Sequence, residues 1–190
     1  MSTLQLAPEK TALVLIDLQH GIVAMQTAPY TPAEVIAKSR SLADAFHAKG
    51  ATVVYVRVDM ADFMQLPADT SLRDPNAPPP PAIASEIVPE AGMQEGDLVV
   101  TKRHWGAFAG TELEAELRKR GVDTVVIGGI ATNIGVESTV RQGTGLGFAF
   151  VVVEDACTTL SAEAQKFAFE MIFPRLSRVR KTNEVIEALG

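Results

Sequence analysis

Residues 123–135 read Asp-Thr-Val-Val-Ile-Gly-Gly-Ile-Ala-Thr-Asn-Ile-Gly. A short, Val-rich run meets a pair of glycines, and a helix is expected after Gly135. Branched side chains in such a run fit a strand buried on both faces. Working outward, the same kind of run recurs. Residues 11–16 (TALVLI) end at Asp17, 52–58 (TVVYVRV) at Asp59, 97–101 (DLVVT) at Lys102, and 148–153 (FAFVVV) at Glu154 and Asp155. Residues 176–180 predict a last short strand.

Helical patterns lie between these runs. Thr31-Pro-Ala-Glu34 is a capping box with proline in the first turn, and Val35, Ile36, Leu42, Ala43 and Phe46 form one apolar face. Gly50 is the expected stop. Thr111-Glu-Leu-Glu114 repeats the capping pattern, with Leu113 and Leu117 one turn apart and Gly121 as the stop. Ser161 is expected to cap a helix that ends before Pro174, and residues 183–189 predict the last one. Strand–helix alternation requires right-handed crossovers and gives an α/β fold with a mostly parallel sheet. Neither a repeat nor a second domain is visible, so residues 1–190 read as one domain. Residues 59–96 break the pattern, holding seven of the 11 prolines. Such a stretch runs over the surface, and it is expected to form a rim or lid beside a site.

Composition narrows the function. The chain has 190 residues, 47% of them hydrophobic and 21% charged, which excludes disorder. A formal charge of −6 argues against a nucleic-acid partner or an anionic membrane surface. One cysteine, Cys157, excludes an internal disulfide framework and a zinc-type cysteine cluster. No apolar run reaches the roughly 18 residues of a membrane span. The opening residues lack a basic stretch followed by an apolar one, so a cytoplasmic protein is expected.

In an open parallel sheet, ligands bind beyond the carboxyl ends of the strands. That rule selects Asp17, Asp59, Lys102, the glycine-rich turn 128–135, and Asp155 to Cys157. Asp17 follows a wholly apolar run, so burial raises its pKa while a nearby Lys102 lowers it, and such a pair is poised for proton transfer or is a structural ion pair. Backbone N–H groups in 128–135 suit an anion or a developing oxyanion, although the spacing is neither GxGxxG nor a P-loop. Trp105 and Phe108 are candidates for an apolar pocket wall or for the core, and His104 for substrate contact. His20, His47 and His104 are scattered without metal-ligand spacing, and His47 is expected on a helix surface.

Asp17 in Leu-Ile-Asp-Leu-Gln, Lys102 in Val-Thr-Lys-Arg, and Gly129-Ile-Ala-Thr-Asn-Ile-Gly135-Val together resemble the isochorismatase-like (cysteine hydrolase) family. The likeness covers residues 10–180 and is strongest to its YecD-like branch. It implies a three-layer α/β/α fold with a six-stranded parallel sheet and a catalytic Asp17 and Lys102. It also implies a non-proline cis peptide at Ile130–Ala131 and oxyanion N–H groups at Ala131 and Gly135. The family's amidohydrolases carry a nucleophilic Cys where this chain has Gly135, and a hydrogen cannot attack a carbonyl. Nicotinamidases of the family bind metal through Asp-x-His, but Asp59-Met-Ala61 lacks the histidine, so neither metal nor cofactor is expected.

True isochorismatases also carry Gly at that position and cleave a vinyl ether. The favoured expectation is therefore a thiol-independent hydrolase of a small molecule, with an anionic substrate allowed because a local basic site can work inside an acidic protein. Asp17 is its general acid/base, Lys102 its partner, and Ile130, Ala131, Trp105 and Phe108 its substrate contacts. A dicarboxylate substrate needs cations, and Arg57, Arg73 and Arg103 are the candidates. Two alternatives stay open: an amide hydrolase using Cys157, and a non-catalytic small-molecule-binding protein. A homodimer or homotetramer is expected from the family pattern, with the basic stretch 175–181 as a solvated face or subunit contact.

Overall fold

Side-chain alternation decides how the strands pack. In the computed structural model, which describes residues 4–64, 66–70 and 76–190, Leu13 and Leu15 enter one core while Ala12, Val14 and Ile16 enter the other. The strands are β1 (Thr11–Ile16), β2 (Thr52–Val58), β3 (Leu98–Lys102), β4 (Thr124–Ile130), β5 (Ala149–Thr158) and β6 (Arg178–Arg180). They form one six-stranded parallel sheet in the order β3-β2-β1-β4-β5-β6. Helices α1 (His20–Val23), α2 (Pro32–Ala48), α3 (Leu113–Lys119), α4 (Glu137–Gly145), α5 (Ala162–Phe167), α6 (Phe173–Leu176) and α7 (Thr182–Ala188) connect and cover it. Val35, Leu42 and Phe46 of α2 and Val185 of α7 cover one face. Leu113 and Leu117 of α3, Val140 of α4 and Phe173 of α6 cover the other. This is the three-layer α/β/α arrangement. No helix among the described residues is long and apolar enough to cross a membrane.

The capping box of α2 forms as its sequence predicts. Glu34 N–H donates to Thr31 Oγ1 at 3.3 Å, and Thr31 N–H donates to Glu34 Oε2 at 2.8 Å. Thr31→Ala is therefore expected to cost about 1 kcal/mol. In a chain of this size that lowers the melting temperature by roughly 2–4 °C, measured by thermal unfolding.

The second predicted capping box does not form. The helix starts one residue later than predicted. Thr111 Oγ1 accepts from Leu113 N–H at 3.3 Å rather than from Glu114 N–H, while its hydroxyl donates to Ala107 O, and Glu112 holds the N-cap position of α3 without a side-chain cap. Pro174 does not end the preceding helical segment either. It lies in the first turn of α6, where a missing N–H costs no bond, after a π-helical turn at Ala168–Ile172. Gly135 falls inside a π-helical turn (Thr132–Val136) that leads into α4, rather than before the helix. Leu176 belongs to α6, so β6 starts only at Arg178.

The largest change in boundaries is in β5. Its register against β4 shifts between Ile127 and Gly129, after which Gly129 pairs with Cys157 and Ile130 with Thr158. Both strands thereby run past their expected ends, and Cys157 lies within a strand instead of after it. His47 is also more enclosed than its helix position suggests. It is half-buried, with Nε2 2.7 Å from Asp97 Oδ1.

Candidate active site

Strand order reverses between β1 and β4, and this is where an open α/β sheet leaves a crevice. Asp17 follows β1 in a left-handed backbone conformation (φ 54°), while its N–H donates to Val56 O at 2.8 Å. That conformation is costly for a residue with a Cβ, and Asp tolerates it better than most. On the other side, β4 ends at Ile130, and the Ile130–Ala131 peptide is cis, as the resemblance implies. Gly129 (φ 125°) makes the close approach possible, since a Cβ there would lie 2.2 Å from Ile16 O.

Lys102, the last residue of β3, reaches across to Asp17, with Nζ 2.8 Å from Oδ2. Both side chains are almost fully buried. Burial raises the Asp17 pKa above the ordinary carboxylate value, and the Lys102 charge and hydrogen bond offset only part of that rise. Lys102 Nζ also donates to Trp105 O at 3.1 Å, which leaves one of its three donors. Asp17 Oδ1 is buried without a hydrogen-bond partner among the described residues. Gly135 faces this pair: a Cβ on it would lie 3.4 Å from Asp17 Oδ2 and 3.6 Å from Lys102 Nζ.

These residues open onto a cavity of about 340 Å³. Of the expected site residues, Asp17, Lys102, Gly135, Ile130, Ala131 and Trp105 line it. Phe108 does not; it is buried in the core and stacks on Phe148 at 5.6 Å, because the chain turns after Trp105 and carries Ala107 and Phe108 inward against α4. His104 is half-buried and also lies off the cavity.

Three other residues expected at the carboxyl edge face elsewhere. Asp59 Oδ1 accepts from Ala61 N–H and Asp62 N–H, closing its own turn. Asp155 Oδ1 accepts from the N–H and hydroxyl of Thr182, fastening α7, and its Oδ2 lies 3.5 Å from Lys38. Cys157 is fully buried in the core cluster shared with Ile16 and Ile127, and burial pushes its thiol far above the usual range. Cys157 is not among the residues that line this cavity.

Two of the three cations expected to hold a dicarboxylate do not line the cavity. Arg57 donates to Thr101 Oγ1 at 3.0 Å, and Arg103 pairs with Asp62. Arg73 lies outside the described residues. Among the described residues, no group of three His, Cys, Asp or Glu side chains is placed to hold a metal ion.

The proline-rich stretch divides. Met60, Ala61 and Phe63 form one wall of the cavity, as a rim should. Val88 and Ala91 instead pack into the core, where Tyr55 Oη donates to Ala91 O at 2.9 Å. Sequence patterns gave no warning of Gln19, whose buried side chain joins the two parts. Its Nε2 donates to Val58 O and Ala84 O, and its Oε1 accepts from Val58 N–H at 2.7 Å. Ile22, Met25 and Leu160 also line the cavity without belonging to any sequence motif, whereas Ile134 lies in the glycine-rich turn 128–135 and Val58 and Met60 flank the end of β2.

A doubly wound parallel sheet with a buried carboxylate–ammonium pair at its switch point defines an α/β protein built around a small-molecule cleft. The chain belongs to the isochorismatase family: the family model described as Isochorismatase domain matches residues 11–184. The uncharacterized isochorismatase family protein YecD of Escherichia coli O157:H7 is 43% identical over 195 residues, covering 98% of this chain and 100% of its own. YwoC of Bacillus subtilis (strain 168), described in the same terms, is 42% identical, covering 98% of each chain. The solved structure of an isochorismatase family protein from Burkholderia thailandensis superposes with a TM-score of 0.90 at 42% identity, covering 99% of each chain. The protein is thus an isochorismatase-family hydrolase.

Proposed function

We propose that this protein hydrolyses a vinyl ether without a thiol nucleophile, with Asp17 as proton donor and Lys102 as its partner. The observation that carries the reading is the buried Asp17–Lys102 pair set against Gly135, where no side chain can attack. Lys102 occupies Oδ2 of Asp17, so the proton of the acid form belongs on Oδ1, the oxygen with no other partner. That proton passes to the terminal carbon of the enol ether and leaves an oxocarbenium ion. Water adds to the cationic carbon and returns one proton to Asp17. The resulting hemiacetal or hemiketal then collapses to an alcohol and a carbonyl compound. Positive charge develops on the substrate and negative charge on Asp17. The Lys102 ammonium therefore stabilises the carboxylate as it gives up its proton, and its remaining donor can hold the water. The N–H groups expected at Ala131 and Gly135 have no oxyanion to hold in this step.

The raised pKa of Asp17 favours this role, because a donor must hold its proton near the working pH. Purified protein is expected to convert enol ethers to alcohol and carbonyl at a rate that excess iodoacetamide leaves unchanged. Loss of turnover on alkylation would replace this reading with one that uses Cys157.

A further inference from the structure

We infer that the site takes an uncharged substrate, an apolar, ring-sized body with a single polar group at the reacting bond. This rests on the hydrolase reading for the fate of the bond, but on the cavity alone for the nature of the ligand.

Charge is the first consideration. One carboxylate and one ammonium line the cavity, and they are already paired at 2.8 Å. No arginine or histidine joins them among the described residues. A ligand carboxylate would have to be buried without a free cation, or would have to break the Asp17–Lys102 pair and leave Asp17 uncompensated. Either route is unfavourable beside Asp17 and Lys102, which are almost fully buried, even though Trp105 and Leu160 leave the cavity partly open to solvent.

The walls are the second. Met25, Met60, Phe63, Trp105, Ile134 and Leu160 line the cavity with apolar surface. Phe63 and Trp105 meet edge to face with centroids 4.8 Å apart, a stiff corner for a flat ring. The two thioethers are pliable and polarizable, and they fit such a ring without directing it. The volume of about 340 Å³ is at the small end of ligand pockets, which run from about 300 to 1,000 Å³. Polar recognition then falls to Asp17 Oδ1, the remaining N–H of Lys102 and the backbone N–H groups expected at Ala131 and Gly135, none of which is a free cation.

A matched pair of probes tests this: phenyl vinyl ether and 4-vinyloxybenzoate, which differ by one carboxylate. Trp105 is the only tryptophan, and it lines the cavity, so its fluorescence reports binding directly. Titration calorimetry provides a check free of inner-filter effects. The wild-type protein is expected to bind the neutral ether at least tenfold more tightly than the carboxylate. In Asp17→Asn, Lys102 is released from its partner, and the preference is expected to shift towards the carboxylate by at least tenfold. Equal or tighter binding of the carboxylate by the wild-type protein, or no binding of the ether, overturns the inference. An unchanged preference in Asp17→Asn overturns it too, because charge pairing would then not set the selectivity. Binding of the neutral ether without release of phenol and acetaldehyde leaves the substrate class standing and removes the vinyl-ether chemistry.

Discussion

Asp17→Asn is expected to lower kcat for enol-ether hydrolysis by about 10²–10⁴-fold, the usual contribution of a positioned acid or base. The amide keeps the size and the place of the carboxyl but has no proton of suitable acidity to give. Burial holds the Asp17 pKa above its ordinary value, with Lys102 opposing. A donor works in its protonated form, so kcat/KM should fall as the pH rises through that raised pKa. The falling limb should therefore lie above the usual aspartate value of about 3.9, and the residual activity of Asp17→Asn should lack it.

Stability follows the same sign. A pKa raised by folding contributes stability that is complete below the unfolded value of about 3.9 and is lost as the pH rises through the folded one. Thermal stability of the wild-type protein should decline across that window more steeply than that of Asp17→Asn. A full-rate Asp17→Asn enzyme would remove Asp17 from the chemistry.

Gly135→Cys should create a reactive thiol where none exists. Its Cβ would stand 3.4 Å from Asp17 Oδ2 and 3.6 Å from Lys102 Nζ, inside hydrogen-bonding reach for the sulfur beyond it. An adjacent ammonium favours the thiolate. The native Cys157 is fully buried and its ionisation is suppressed, so it provides an internal control. Iodoacetamide at pH 7 should label the introduced thiol at least tenfold faster than Cys157, read by peptide mass spectrometry. The variant should also release p-nitrophenol from p-nitrophenyl acetate in a burst that the wild-type protein lacks. The same Cβ would lie 2.9 Å from Ile16 Cγ2, so Ile16 must shift, at a cost of about 1–3 kcal/mol. Labelling no faster than that of Cys157 would show that position 135 does not adjoin the pair.

The runs that became β1 and β2 were legible because burial on both faces leaves an unbroken apolar signature. Their ends located Asp17 by the strand-end rule alone. Thr31 was legible because a capping box is closed within four residues. Thr111 was misleading because the helix starts one residue later, at Leu113, so its hydroxyl accepts from Leu113 N–H and not from Glu114 N–H, and a local pattern does not fix that one-residue offset. Phe108 illustrates the same limit. Its apolar, aromatic character suits a pocket wall and a core equally, and the hydrogen bonds of Ala107 and Phe108 to Thr139 and Gln142 of α4 decided for the core.

Local sequence thus determined which segments form strands, where β1 and β2 end, and which ionisable residues lie near the carboxyl edge of the sheet. It could do so because periodicity and capping act over a few residues. Tertiary structure alone decided which of those residues share a cavity. Asp17 and Lys102 meet because β1 lies one strand away from β3, across β2, and both side chains lean towards the crevice. Asp155 and Cys157 do not join them, because the register shift in β5 extends the strand through both and leaves the thiol in the core. Side chains in a strand point alternately to its two faces, so register, which depends on the partner strand, sets what a catalytic residue type can touch.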